Sequence, residues 1–318
     1  MKDELKSLFT SHWRYLAVNA ACKIKLFDKI ESNGTSSDDL VILNKLNKTA
    51  TEALLDICVQ EGLLKLEENK YLLTSKGEYL VSTHPENMYY ACLNWGAEHL
   101  DAWKEMDYTV NTGKSSFENI YRESFFGYIG NRPDKLDDYH KAMYAYAFDD
   151  YKNISEKLSI PNNEKVIDIA GGYGALISNL KKSRPDLDCA IFDLPEVIQN
   201  VYLTDIKKYS GSFFDNIPTG YDHYILSRVI HDWDDEKALH IIGNIYKSLK
   251  RGGKMYLIEN LTDRIQNKAS LLNLNMLAIC ESQERSEVEY LRLLNHFDFV
   301  TETQQLNDNQ FIIKATKK

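Results

Sequence analysis

Three stretches of this chain hold side chains whose types and spacing suit chemistry. The first runs Asp168-Ile169-Ala170-Gly171-Gly172-Tyr173-Gly174. An apolar strand leads there into a glycine turn and then into a helix. Gly171, Gly172 and Gly174 let the backbone approach a ligand closely and adopt dihedrals that other residues avoid. The helix N-terminus beyond them favours negative groups. A dinucleotide fingerprint requires a third small residue at position 177, where Ile177 stands, so the nicotinamide pattern fails. Asp168, just ahead of the glycines, would repel a pyrophosphate and suits a cationic ligand group.

The second stretch is Phe192-Asp193-Leu194-Pro195, at the end of the next apolar run. A carboxylate at that place can accept hydrogen bonds from both hydroxyls of a ribose. The plainer reading of Asp193 is a cap on the Leu–Pro turn. The third stretch is Ser227-Arg228-Val229-Ile230-His231-Asp232-Trp233-Asp234-Asp235. His231 falls just beyond a strand's C-terminal end, where α/β sheets place their ligands. Its ordinary pKa makes histidine a natural general base, although a histidine can equally be structural, and seven others occur here. Asp232, Asp234, Asp235 and Glu236 read as a solvated helix start. No further ligand lies at zinc-like spacing, so no metal is expected.

The elements that must position these residues follow from the hydrophobic pattern. Strand-like runs at 165–170, 189–192, 221–226, 255–258 and 311–315 mostly alternate with helical stretches, the first of them at 175–183. Such alternation predicts an α/β doubly wound sheet. The first 85 residues read differently. Helical spacing covers 13–30, Ser36 to Asp39 looks like an N-cap, and a further helix spans 53–61 up to Gly62. Two short strands, 63–66 and 71–74, then flank a polar turn. This is the winged-helix plan. The third helix carries Glu52, Asp56 and Glu61 and no Lys or Arg between 49 and 64. Phosphate contact needs the opposite sign, so packing or dimerisation is expected in place of DNA binding. Residues 87–157 read as helices with irregular joins.

Composition agrees. There are 38 basic against 47 acidic residues in 318, a net charge of −9, which disfavours nucleic acid and anionic membranes as partners. Five widely spaced cysteines with no CxxC read as reduced cytoplasmic thiols. The first residues lack the apolar core of a signal peptide, and no apolar run approaches the ~20 residues of a membrane span. Many of the 20 tyrosines lie between Tyr89 and Tyr151, enough to line an aromatic pocket.

Taken together, these motifs resemble the class I S-adenosylmethionine-dependent O-methyltransferases, the group of the caffeate, acetylserotonin and bacterial natural-product tailoring enzymes. The resemblance covers nearly the whole chain. Residues 168–174 match the family's cofactor loop, and Phe192 to Val197 its FDLPxV segment. Gly211-Ser212-Phe213-Phe214 matches a GDxF segment near the adenine. Val229 to Glu236 matches VxHDWxDE. Arg251-Gly252-Gly253-Lys254 with Glu259, then Asn275-Met276-Leu277 and Glu284-Arg285-Ser286, match the later segments. Ser212 stands where the family usually has Asp, Glu281-Ser282 where it has two glycines, and Asn273 where Asp is common.

The resemblance implies a Rossmann-like sheet (the methyltransferase fold) over 161–318, a winged-helix-like dimerisation domain over 1–85, and a helical linker over 86–160 that contributes to the acceptor pocket. It implies S-adenosyl-L-methionine as cofactor, with S-adenosyl-L-homocysteine as product. Its contacts would be Asp168, Gly171, Gly172, Gly174, Asp193, Leu194, Ser212, Phe213, Phe214, Ser227 and Arg228. His231 would be the base, with Glu259 and Glu284 orienting it. Tyr139, Met143, Asp232, Trp233 and Met276 would face a small aromatic acceptor. A homodimer is implied, with His12 and Trp13 available to complete the partner's pocket. Relatives that methylate nitrogen or carbon, or that bind the cofactor without transferring methyl, remain alternatives, as does a winged-helix regulator.

Overall fold

The computed structural model describes residues 2–264 and 268–318. It divides into two compact units, Met1–Glu98 and His99–Lys318.

The first unit is built on three helices and a hairpin. The helix Lys2–Lys23 is longer than its apolar spacing predicts and stops sooner. Lys25 takes a left-handed backbone (φ 54°), and only a short 3-10 turn, Phe27–Lys29, follows it. The helix Ser37–Asn44 starts at Ser36, whose side chain accepts the Asp39 N–H. The helix Lys48–Gln60 is capped by Asn47 in the same manner. Strands β1 (Leu64–Glu67) and β2 (Lys70–Leu73) pair antiparallel. The turn between them places Glu68 and Asn69 at positive φ, as a two-residue hairpin loop requires. Leu26, Phe27, Leu40, Leu55, Leu63 and Leu64 form the core. At the C-cap of the third helix, Glu61 is held by the Arg14 guanidinium at 2.5 and 2.7 Å.

The second unit carries a seven-stranded sheet. Its strands are β3 (Lys165–Ile169), β4 (Asp188–Asp193), β5 (Lys207–Ser210), β6 (His223–Ser227), β7 (Lys254–Glu259), β8 (Phe299–Gln305) and β9 (Phe311–Lys317). The spatial order is β5-β4-β3-β6-β7-β9-β8. Strands β3 to β7 run parallel, and β9 pairs antiparallel with both β7 and β8. The expected doubly wound sheet is therefore present. Its five predicted strands are joined by two that the sequence did not announce, β5 and β8. Both are edge strands rich in Lys, Thr, Glu and Gln, and edges favour such residues because they discourage further pairing.

The central strands are apolar because both faces are covered. Ile167, Ile169, Phe192, Tyr224 and Leu226 face one layer, which includes Ile241, Ile242 and Ile245 of the helix Asp235–Ser248. Val166, Ile191 and Ile225 face the other, with Leu176, Ile177 and Leu180 of the helix Ala175–Ser183. The chain leaves β3 toward β4 on one side and later returns to β6 on the other. The order thus reverses at β3, and the crevice between the C-terminal ends of β3 and β6 is where such sheets bind ligands.

Candidate active site

The strand ends carry the chemistry. Asp168 is the penultimate residue of β3, Asp193 ends β4, Ser227 ends β6 and Glu259 ends β7. Beyond β3 the chain turns through Ala170 (φ 55°), Gly172 (φ 57°) and Gly174 (φ 83°) into the helix Ala175–Ser183. Gly171 has no room for a side chain, since a Cβ there would lie 2.8 Å from the Asp168 carboxylate and 2.9 Å from Ile191. Asp193 ties the turn down. Its Oδ2 accepts the Gly172 N–H at 2.8 Å and its Oδ1 the Leu194 N–H at 2.7 Å. Burial raises its carboxyl to about 6 despite those two bonds. Asp168 is 2 % exposed, and burial together with the neighbouring Asp193 charge lifts it to about 8. Two desolvated carboxylates side by side favour a cation and hydroxyl donors over any anion.

His231 sits on the 3-10 turn Ile230–Asp232 after β6 and is buried. Its Nδ1 lies 2.7 Å from Glu284 Oε1 and 3.9 Å from Glu259 Oε2, and its Nε2 lies 3.6 Å from Asp232 Oδ1. Glu259 also accepts the N–H groups of Val229 and Ile230, at 3.2 and 3.0 Å, and so anchors the turn to β7. Burial opposes charge on the imidazole. The carboxylates of Glu284, Asp232 and Glu259 outweigh it and raise His231 to about 10. Burial in turn lifts Glu259 to about 7 and Asp232 to about 6, with His231 pulling both down. Asp232 therefore departs from the solvated helix start expected for it. The helix start falls to Asp234, which caps the Lys237 N–H, while Asp232 lies in the preceding turn and points toward His231.

Aromatic side chains surround this pair of carboxylate clusters. Trp233 stacks on Phe126 (5.9 Å, 23°) and meets Phe213 and Phe214 edge-on. Phe126 and Phe125 in turn contact Tyr139. Tyr139 belongs to the helix Pro133–Asp150, and Met143 lies half-buried one turn further along it. Cys280 Sγ approaches Asp232 at 3.9 Å. Met276 is buried on the helix Lys268–Cys280. Ser212 supports the Phe213–Phe214 segment from within, as its Oγ accepts the Phe214 N–H at 3.1 Å.

Several contacts at this site carry no signal in sequence. The Tyr151 hydroxyl meets Ser227 Oγ at 2.6 Å. The His140 ring stacks on Tyr173 and lies 3.2 Å from where a Cβ on Gly172 would be. Burial lowers that imidazole to about 4. Asn244 donates to the carbonyls of Phe213 and Phe214 at 3.0 and 3.2 Å. Asn273 Oδ1 accepts the Glu284 N–H at 2.9 Å. Arg228, at φ 54°, hydrogen-bonds through its N–H to Ile258 and faces Tyr151, Asp150 and Tyr139.

A parallel sheet that reverses at β3, a glycine turn tied to a strand-end carboxylate, and a carboxylate-flanked histidine beside it define a doubly wound transferase of the methyltransferase fold. Residues 103–300 match the family model of the O-methyltransferase domain. The chain belongs to that family, and it is an S-adenosylmethionine-dependent methyltransferase. It is 28% identical to the 3-amino-4-hydroxybenzoate 4-O-methyltransferase of Streptomyces cremeus, over 93% of this chain and 84% of that protein. It is 28% identical to human acetylserotonin O-methyltransferase, over 88% of this chain and 87% of that one. The crystal structure of human N-acetylserotonin methyltransferase in complex with S-adenosylmethionine superposes with a TM-score of 0.90 at 26% identity, covering 99% and 97% of the two chains. Among the described residues, no helix is long and apolar enough to cross a membrane.

Proposed function

We propose that the acceptor is a small aromatic molecule with a phenolic hydroxyl and that His231 takes its proton. The observation that carries this reading is the 2.7 Å contact between His231 Nδ1 and Glu284. It commits Nδ1 to the carboxylate and leaves Nε2 to face the acceptor side, next to Asp232 and the aromatic wall. The acceptor's proton passes to Nε2, and Glu284 and Glu259 stabilise the imidazolium that results. An imidazole raised to about 10 matches a phenol, whose reference value is also about 10, so the transfer costs little free energy. The named relatives that act on hydroxylated aromatic rings, an aminohydroxybenzoate in one case and acetylserotonin in the other, support the same acceptor class.

S-adenosylmethionine supplies an electrophilic methyl group. The chain's residues fit it. Asp193 and the glycine turn offer a ribose site, Asp168 a buried anion for an amino group, and Phe213 and Phe214 an apolar edge beside Ser212 for the adenine. Ser227, Arg228 and Leu194 border the same crevice. Tyr139, Met143, Trp233 and Met276 suit a flat ring. Trp233 and Phe126 would exclude water from the reacting atoms.

A homodimer completes the proposal. Leu5, Leu8, Phe9 and Trp13 of the helix Lys2–Lys23 are 50%, 65%, 68% and 64% exposed. They recur at helical spacing, which forms one apolar stripe suited to a second copy. All five cysteines are free, which supports a cytoplasmic setting. The test is methyl transfer to a panel of hydroxylated aromatic acids and amides, followed by S-adenosylhomocysteine release. Product from the wild type and none from His231→Ala supports the reading; equal product from both sinks the assignment of the base.

A further inference from the structure

We infer that Ser282 is a positioning residue for His231, acting with Arg285 to clamp the carbonyls of the turn that carries the imidazole. This inference rests on the reading of His231 as the base.

The turn Ile230–Asp232 is a single 3-10 turn and has little internal bonding. Glu259 holds its N–H side, and one segment, residues 281–285, holds its carbonyl side. The Ser282 hydroxyl, 5 % exposed, donates to the His231 carbonyl at 2.5 Å. The Arg285 guanidinium, 2 % exposed, donates to the Ile230 carbonyl at 3.0 Å and to the Trp233 carbonyl at 2.7 Å. Between them in sequence lies Glu284, the partner of the imidazole Nδ1. The His231 carbonyl and the hydrogen-bonded Nδ1 of its ring are therefore both held by this five-residue segment. A shift of this segment against the turn would move carbonyl and ring contacts together.

The clamp is itself anchored. Glu281 has a left-handed backbone (φ 54°), a strained choice for that residue. Its carboxylate reaches Lys114 Nζ at 2.5 Å and the Ser115 N–H at 3.4 Å. The Ser282 N–H bonds the Met276 carbonyl at 3.4 Å. That backbone bond is open to glycine, but the Glu281 carboxylate and the Ser282 hydroxyl make bonds that the glycine pair expected from the resemblance cannot make.

The charged groups facing the imidazole are Glu284, Asp232 and Glu259. Loosening the clamp lengthens the contact to Glu284, and the imidazole then loses part of what holds its proton. A residue that only supports the fold would leave that titration in place. The experiment is an NMR titration of the His231 imidazole in the S-adenosylhomocysteine complex, with His231→Ala to assign the signal. The variants are Ser282→Gly, Ser282→Ala and Ser282→Thr. Running glycine and alanine together keeps the measurement standing if one of them folds poorly, and calorimetry with S-adenosylhomocysteine checks each fold. The expected result is a wild-type imidazole titrating far above 6.5, a drop of roughly one unit in Ser282→Gly and Ser282→Ala, and recovery in Ser282→Thr. Glycine and alanine variants that titrate with the wild type would overturn the clamp alone. A wild-type imidazole near its ordinary value of about 6.5 would mean that Glu284 does not hold its proton and would overturn the clamp, whereas the base reading falls only if His231→Ala transfers methyl as the wild type does.

Discussion

The Asp193 carboxylate accepts the amide hydrogen of Gly172 at 2.8 Å, joining the end of one strand to the turn that follows its neighbour. The residue proposed to hold the ribose therefore also holds the glycine turn. Removing it should affect both ligand and loop. Asp193→Ala is expected to weaken S-adenosylhomocysteine by about 100-fold or more, since charge-assisted hydrogen bonds contribute ~1.5–3 kcal/mol each. Asp193→Asn retains an acceptor for Gly172 and should lose roughly tenfold. Calorimetry measures both, and an alanine variant that binds as the wild type would remove the ribose assignment.

The elevated imidazole of His231 predicts an alkaline pH profile. A base must be neutral to accept a proton, and a raised value keeps it charged over a wider range. With His231 at about 10 in the free enzyme, kcat/KM should climb about tenfold per unit from neutral pH upward and level off toward that value. Glu284→Gln keeps a hydrogen-bond partner and removes the charge. Its rising limb should therefore move to lower pH, toward the ordinary imidazole value of about 6.5. Rates of S-adenosylhomocysteine release across pH 6 to about 10.5 decide it. Coincident profiles would mean that Glu284 does not set the imidazole.

What sequence could announce was local. The glycine turn, Asp193 and His231 each end an apolar run, and a strand-end position is legible wherever a central strand is continuously apolar. Strands β5 and β8 escaped notice because Lys-Lys-Tyr-Ser and the Thr, Glu and Gln of β8 carry an edge's polarity, which resembles a loop. Asp232 read as solvated because it heads a run of acids. Its inward position is set by the 3-10 turn that precedes the helix cap at Asp234. The bonds from Ser282 to His231 and from Tyr151 to Ser227 span 51 and 76 positions. Serine and tyrosine hydroxyls have no spacing rule that would pair them at such separations.

Asp168 predicts a stability cost with a definite sign. Its folded value, about 8, lies above the ~3.9 of an unfolded aspartate. Below that unfolded value both states are protonated, and nothing is lost. As pH rises the unfolded chain ionises first, so stability falls from about pH 4 until the folded carboxyl ionises near 8, and then levels off. Asp168→Asn removes this loss. The ligand-free variant should melt higher than the wild type at pH 8 by ~2–4 °C for each kcal/mol regained, with little difference at pH 4. It should also bind S-adenosylmethionine more weakly, the usual exchange between stability and a charged site. Equal melting temperatures at pH 8 would mean that the carboxyl ionises freely in the fold.

The apolar stripe on the first helix predicts the oligomeric state. Phe9 and Trp13 lie four residues apart, one turn along a single face, and about two thirds of each side chain's surface is open. Neither contributes to the core of its own unit, whose packing comes from Leu26, Phe27, Leu40 and their neighbours. Replacing both with glutamate should therefore leave the fold's melting temperature within about a degree or two if the chain is a monomer. In a dimer built on this stripe, the same change buries two charges against an apolar partner, which costs several kcal/mol and separates the copies. Light scattering should find twice the chain mass for the wild type and a single chain mass for the double variant. A wild-type monomer, or a double variant that stays dimeric, would mean that the stripe is not the interface.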